Sequence, residues 1–324
     1  TLGFTNSELE EEYAKDPPGT SLELKGNTSC EYGSPDCIPC VEDLLGQIRS
    51  LSTQADSSTV YEFPSQSEEL KLNLFGHPQG IARVSGVRDE NWMLITKNHP
   101  KKPSKAGVLS IEFKQLHSQG MAWTSESSDN SIGELGQFYS TRDNKHPGGC
   151  QLIGHHLAVA HEGASEEMKD PTWISFYDVS DPLGIEECNR FSFSGEDSFG
   201  NRYIMTDGAQ ADCVGLTKMR NGHYLMFALE SRRRRAVDVG WFFISTTDDL
   251  KDTDWKYHQF WYQDELLPSG KELRTYENIN LITDCKDGQI YMLGFYGNGR
   301  YNSIDVFSLQ TDLNDKIVLE KVLE

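Results

Sequence analysis

The sequence predicts an all-β fold: a β-propeller of four or five four-stranded blades, preceded by a helical, cysteine-containing N-terminal extension. Three observations predict it. A turn-rich approach runs four times into an apolar strand, a second strand, a polar loop and a third strand, with starts roughly 60 to 70 residues apart, a spacing typical of repeat architectures. Two approaches share a lead-in: His77-Pro78-Gln79-Gly80 opens Ile81-Ala82-Arg83-Val84, and His146-Pro147-Gly148-Gly149 opens Cys150-Gln151-Leu152-Ile153. The links Asn221-Gly222 and Asp287-Gly288 between first and second strands are strong hairpin signals.

Residues 1–56 differ from the rest of the chain and read as an extension docked on the body, with 57–324 forming the propeller. Leu9 to Lys15 is acidic and polar, Pro17-Pro18-Gly19 is a breaker, and Cys30 to Cys40 is turn-rich. Leu44, Leu45, Ile48 and Leu51 then fall on one stripe at helical spacing, which predicts an amphipathic helix packed on the body and tethered by a disulfide. Thr59 to Phe63 reads as a fourth strand with no unit before it, placed to close the ring against Lys316 to Leu323.

The third and fourth repeats open at Asp212-Cys213-Val214-Gly215-Leu216 and Glu277-Asn278-Ile279-Asn280-Leu281. Second strands are predicted at Trp92–Ile95, Leu157–Ala160, Tyr224–Phe227 and Ile290–Leu293. Third strands come next at Val108–Ile111, Trp173–Tyr177, Trp241–Ile244 and Ile304–Phe307, each trailed by a weaker fourth such as Cys188–Ser194 or Lys256–Tyr262. Radial repetition of such units limits exposed sheet edges. A β-sandwich is the runner-up, but it does not require the regular period.

Composition narrows the function classes. A net charge of −20 argues against nucleic acid or an anionic membrane as a global partner, and no apolar run reaches the roughly 18 residues of a membrane span. The chain opens on Thr1 with no signal peptide, which reads as a processed or trimmed chain. Seven cysteines and the sequon Asn27-Thr28-Ser29 suit a secreted or lumenal protein, and the odd count leaves at least one thiol outside intramolecular bridges. Cys37-Ile38-Pro39-Cys40 lacks both a redox-fold setting and a second pair for zinc, so a structural disulfide is expected. Oligomeric state leaves no mark in the sequence.

In a propeller, the connection into the innermost strand and the loop between second and third strands emerge on one face, where loops converge on a rigid scaffold. The lead-ins bring His77, His146, Gln210, Asp212, Glu277 and Asn280 to that mouth. The loops add Lys97 to Lys105, His161 to Lys169, Arg232-Arg233-Arg234-Arg235, and Tyr296 to Tyr301 with Arg300. Basic clusters in so acidic a chain point to an anionic ligand, for which arginine offers forked donors. The bland readings stand beside this: a solvated arginine hairpin tip, a lysine loop that serves solubility, and His-Pro pairs that fix turns. His155, His156 and His161 do not have metal-ligand spacing. No cofactor is predicted, with room left for a structural or catalytic metal ion at the channel.

Ser245-Thr246-Thr247-Asp248-Asp249-Leu250 through Trp255 resembles the Ser, Asp-Leu, Trp turn in blades of five-bladed glycoside hydrolases of the arabinanase and invertase groups. The resemblance covers about a dozen residues, and no specific family is recognised across the whole length. It implies carboxylates on inner strands flanking a glycosidic bond, the place held by Asp212 and Glu277. The first two repeats offer His77 and His146 instead. Histidine with nearby arginine is similar in kind to propeller polysaccharide lyases, in which a base removes the proton beside a uronate carboxylate. The expectation is a secreted propeller enzyme acting on an acidic glycan or small anionic metabolite, by β-elimination or hydrolysis. His146 or His77 would be the base, Tyr296 or Tyr301 the acid, and Arg232 to Arg235 with Arg300 the clamp, with Gln210 and Asn280 as further ligand contacts. A lectin-like binding module and a histidine-metal oxidative enzyme are the alternatives.

Overall fold

A computed structural model describes residues 22–31, 34–52, 78–87, 90–99, 102–113, 132–139, 146–162, 173–192, 195–196, 202–203, 211–230, 239–262, 276–297, 302–313 and 315–323. They form four antiparallel sheets of four strands, each built from consecutive strands: the blades of a β-propeller. Blade 1 holds β1 (Pro78–Val87), β2 (Glu90–His99), β3 (Lys102–Phe113) and β4 (Ile132–Tyr139). Blade 2 holds β5 (His146–Ile153), β6 (His156–Glu162), β7 (Trp173–Asp178) and β8 (Glu186–Ser192). A short ladder comes next, β9 (Gly195–Glu196) with β10 (Arg202–Tyr203). Blade 3 holds β11 (Cys213–Lys218), β12 (Tyr224–Glu230), β13 (Val239–Ser245) and β14 (Trp255–Tyr262); blade 4 holds β15 (Asn278–Thr283), β16 (Ile290–Gly297), β17 (Asn302–Thr311) and β18 (Ile317–Leu323).

Strand alternation sends each blade's apolar residues to its two neighbours. Leu157, Val159 and Tyr177 of blade 2 meet Val84, Trp92 and Leu94 of blade 1. Ala158, Ala160 and Phe176 face Met226, Ala228 and Phe243 of blade 3. Leu225, Phe227 and Leu229 face Ile279, Met292 and Phe307 of blade 4. The turn Ser245 to Trp255 locks blade 3 onto blade 2: Leu250 and Trp255 are buried, and Trp255 stacks on Phe176 at 5.6 Å. Such an aromatic pair contributes about 1 kcal/mol beyond its buried area. Asn189 Nδ2 donates to the carbonyls of Leu250 and Thr253, and Gln259 on β14 brackets Ile317 of blade 4 in the same manner. The resemblance motif is therefore an interlocking device between blades.

The hairpins predicted at Gly222 and Gly288 form, and both glycines hold the left-handed conformation that side chains disfavour (φ 93° and 72°). The turns are wider than two residues, because Lys218 pairs with Tyr224 and Thr283 with Ile290. The C-terminal strand β18 completes blade 4 against β17. Its expected partner, Thr59 to Phe63, lies outside the described residues.

The N-terminal segment straps the hairpin end of the propeller. Gly26 N donates to Gly288 O (2.8 Å), Asn27 N to Lys218 O (2.9 Å), Arg220 N to Lys25 O (2.8 Å) and His155 N to Pro35 O (2.9 Å), so it touches blades 2, 3 and 4. Lys218 pairs with Asp36 at 2.5 Å, and Tyr224 OH donates to Asp36 O. Each cysteine of Cys37-Ile38-Pro39-Cys40 has a different partner: Cys30–Cys37 is local, while Cys40–Cys285 bolts the strap to the β15–β16 hairpin. Cys150, Cys188 and Cys213 lie outside these two disulfides.

Helix α1 (Leu44–Ser52) comes after the strap, with Leu44 N donating to Asp284 Oδ2 (3.0 Å). Leu44, Leu45 and Ile48 pack on Leu293, Val306 and Phe295, the face of blade 4 turned away from blade 3. Leu51 leaves the predicted stripe and is 54% exposed, because the packed surface ends before the helix does. In effect α1 covers part of the face on which a further blade would stack. Among the described residues, no helix is long and apolar enough to cross a membrane.

Candidate functional site

The lead-ins of blades 2, 3 and 4 meet at one dipeptide, Gly148-Gly149. Gly149 N donates to Asp212 O at 2.7 Å. A Cβ on Gly148 would lie 1.9 Å from Asp212 O, and one on Gly149 would lie 2.8 Å from Glu277 O and 2.5 Å from Asn278 Oδ1. Only glycine lets three main chains approach this closely, which gives the Gly-Gly of the His-Pro lead-in its physical reason. Asp212 and Glu277, both half-buried, thus start neighbouring blades around a shared point. Their main chains are pinned by Asp212 N to Leu229 O (2.9 Å) and Glu277 N to Phe295 O (3.0 Å).

Gln151 closes the axis beneath them. Its Oε1 accepts from Leu216 N (2.7 Å) and Leu281 N (2.9 Å), and its Nε2 donates to Leu281 O (2.8 Å). One buried amide therefore ties the inner strands of three blades together. Asn280 Nδ2 donates to Ile279 O and Cys150 O, which engages it in holding strands. Asn278 Oδ1 is buried with no hydrogen-bond partner.

The Glu277 lead-in is anchored from behind. Tyr276 OH donates to Asp305 Oδ2 at 2.7 Å, and Asp305 Oδ1 pairs with Lys321 at 2.9 Å, all three side chains being buried. Gly294 leaves room for the tyrosine ring, since a Cβ there would lie 2.6 Å from it. Tyr296 is half-buried and packs on the core between blades 3 and 4.

The two His-Pro lead-ins share a register. Pro78 pairs with Lys97 in blade 1, as Pro147 pairs with His161 in blade 2. Lys97, expected in a solvated loop, instead lies within β2 and is 2% exposed, because β2 and β3 continue pairing beyond it. Burial pulls its ammonium down to about 8, and its Nζ has no hydrogen-bond partner. His161 is buried with Nε2 3.2 Å from Tyr177 OH, and its Nδ1 has no partner. Burial, aided by the Arg190 charge, holds the ring neutral down to about pH 3, and burial also raises the Tyr177 phenol. Arg190 sits over the Trp173 ring at 4.9 Å and pairs with Glu187 at 2.5 Å.

His146 begins β5 opposite Glu162. His77, Gln210, Arg232, Arg233, Arg234, Arg235, Arg300 and Tyr301 lie outside the described residues. His156 and His161 point to opposite faces of β6, toward blades 3 and 1, so they do not share a ligand. Among the described residues, no group of three or more His, Cys, Asp or Glu is placed to hold a metal. Sequence reasoning misses the equivalence of Lys97 and His161; counting outward from the two His-Pro lead-ins is the available signal. It also misses Tyr276, Asp305 and Lys321, which no local pattern marks.

Fold and mouth define a β-propeller in which the main chains of three lead-ins meet at a glycine pivot. Two solved structures are similar to the chain. One is an exo-1,5-α-L-arabinanase from a bovine ruminal metagenomic library, at 11% identity and TM-score 0.45, covering 83% of this chain and 86% of that one. The other is a Cellvibrio cellulosa α-L-arabinanase complexed with arabinohexaose, at 11% identity and TM-score 0.40, covering 82% and 84%. At this level of similarity neither says what this chain does. No protein-family model matches the sequence, and comparison with curated proteins gives no match.

Proposed function

We propose that the lead-in face binds a glycan and cleaves it with Asp212 and Glu277. The observation that supports this reading is the convergence of their main chains: consecutive lead-ins bring the backbones of Asp212 and Glu277 against Gly148-Gly149, above the axial amide of Gln151. Glycosidic cleavage needs one carboxyl group to protonate the leaving oxygen. A second either bonds to the cationic sugar centre as nucleophile or, as base, takes a proton from the water that attacks it. The main-chain bonds of Asp212 and Glu277 and the Tyr276–Asp305 anchor fix the backbone from which such a pair would act.

A second reading is β-elimination from an acidic glycan. It is favoured by His146, whose position at the start of β5 lies two residues from the pivot. There a histidine base would take the proton beside a uronate carboxylate, the 4-oxygen substituent would leave, and an unsaturated sugar would result.

Incubation with neutral and acidic oligosaccharides, with reducing-end release and absorbance of unsaturated uronate as readouts, tests both. Hydrolysis raises reducing ends alone; elimination raises both signals. In the first case Asp212→Asn and Glu277→Gln each lose at least about 100-fold in kcat. In the second, His146→Ala carries the loss. Binding without products would leave a lectin-like module and remove catalysis.

A further inference from the structure

Lys97 takes no part in the cleavage assigned to Asp212 and Glu277. It sits at the mouth end of β2, across from the first residue of β1, on the face carrying Met93, Ile95, Leu109 and Ile111. That face is turned away from blade 2. An ammonium buried without an acceptor is unfavourable by several kcal/mol unless a counter-charge reaches it. Among the described residues no carboxylate offsets the desolvation, and burial is the sole cause of its lowered proton affinity. A purely structural buried lysine is held by an ion pair, as Lys321 is by Asp305 and Lys218 by Asp36. Lys97 is the exception among them.

We propose that Lys97 is the specificity-determining residue of the mouth, recognising a carboxylate or sulfate group of an acidic glycan. The proposal rests on the glycan reading and gives it a substrate class. Its geometry is simple. The strand fixes the Lys97 backbone beside the blade 1 lead-in, just as His161 is fixed beside the blade 2 lead-in. Four rotatable bonds let the ammonium swing toward the mouth while its stem stays on apolar surface. No hydrogen bond holds the head in its buried position, so an anion at the mouth draws it out without breaking one. The charge-assisted contact formed there is of the stronger kind. Next along the same face of β1, Ile81 is 62% exposed and leaves an apolar surface for the sugar ring.

The test compares wild type with Lys97→Met, which keeps the unbranched stem and removes the charge. Calorimetric titration at low salt would use three probes: tetragalacturonate, a heparin-derived tetrasaccharide and neutral arabinohexaose. The expected result is tighter binding of one acidic probe by wild type, with at least a tenfold loss in Lys97→Met and unchanged binding of arabinohexaose. Which acidic probe is preferred tells carboxylate from sulfate. Equal acidic binding by both proteins overturns the proposal. So does neutral binding with no acidic preference, which leaves the glycan reading standing; no binding of any probe ends both. Thermal melting adds an independent readout: Lys97→Met should melt higher than wild type. A lower melting temperature would mean that the fold already compensates the ammonium, and would overturn the proposal.

Discussion

The two ends of the propeller treat their buried charged groups differently. At the hairpin end the strap meets blades 2, 3 and 4 with main-chain hydrogen bonds, an Asp36–Lys218 pair and the Cys40–Cys285 bridge. At the lead-in end Lys97 Nζ, His161 Nδ1 and Asn278 Oδ1 are buried without partners. An unmet buried polar group is destabilising by about 1–3 kcal/mol, and more if charged. The difference lies in charge: the Lys97 ammonium at the mouth has no partner, whereas Lys218 at the base is paired with Asp36. The base has unmet groups of its own, none of them an ammonium: His155 Nε2, both ring nitrogens of His156, whose affinity for a proton burial lowers, and Ser308 Oγ.

The sharpest way to break this contrast is at the boundary between the two ends. Gln151→Ala strands two inner-strand N–H groups and one carbonyl, and should lower unfolding free energy by about 3–5 kcal/mol in urea denaturation. A loss below about 1 kcal/mol would mean that the blades hold together without the axial amide. Next comes the base. Cys40→Ser opens the bridge across 245 residues and should cost about 2–5 kcal/mol, read as a lower urea midpoint with binding at the mouth unchanged. Impaired binding by the folded variant would show that the two ends are coupled.

The smallest expected effect is at the mouth and depends on pH. The His161 ring stays neutral in the folded chain to about pH 3, whereas in the unfolded chain it takes a proton near 6.5. Its folded proton affinity is lowered, so the stability it allows is full above 6.5 and falls as the pH drops from 6.5 toward 3. At pH 4.5 this amounts to roughly 2–3 kcal/mol. His161→Gln, neutral throughout, should narrow the gap between urea unfolding at pH 7.5 and pH 4.5 by about that much. His156, also lowered by burial, leaves a residual slope in the variant.

The blade pattern is legible in the chain because alternation and period are local properties. Two strands of apolar residues joined by Asn-Gly or Asp-Gly announce a hairpin wherever they occur, and the four sheets bear this out. The mouth is half legible. Asp212 and Glu277 stand out because they lead directly into strands, and their main chains approach the pivot. Lys97 is misplaced because a run of Lys, His and Pro resembles a loop, while pairing between β2 and β3 carries the strand through it. The partners of Cys37 and Cys40 are hidden for another reason. Spacing within a Cys-x-x-Cys says nothing about Cys285, which only the folded ring brings near.

The strap also imposes an order on the making of the protein. Cys30 and Cys37 are seven residues apart and pair within a stretch that leaves the ribosome early. Cys40 stays unpaired with Cys285 through three blades of synthesis, until the blade 4 hairpin delivers its partner. Throughout that wait, Cys40 can attack the neighbouring Cys30–Cys37 bridge and shuffle it into a Cys37–Cys40 pair. Correct closure is then a matter of timing: the N-terminus emerges first and locks last, and a disulfide isomerase becomes a natural requirement for yield.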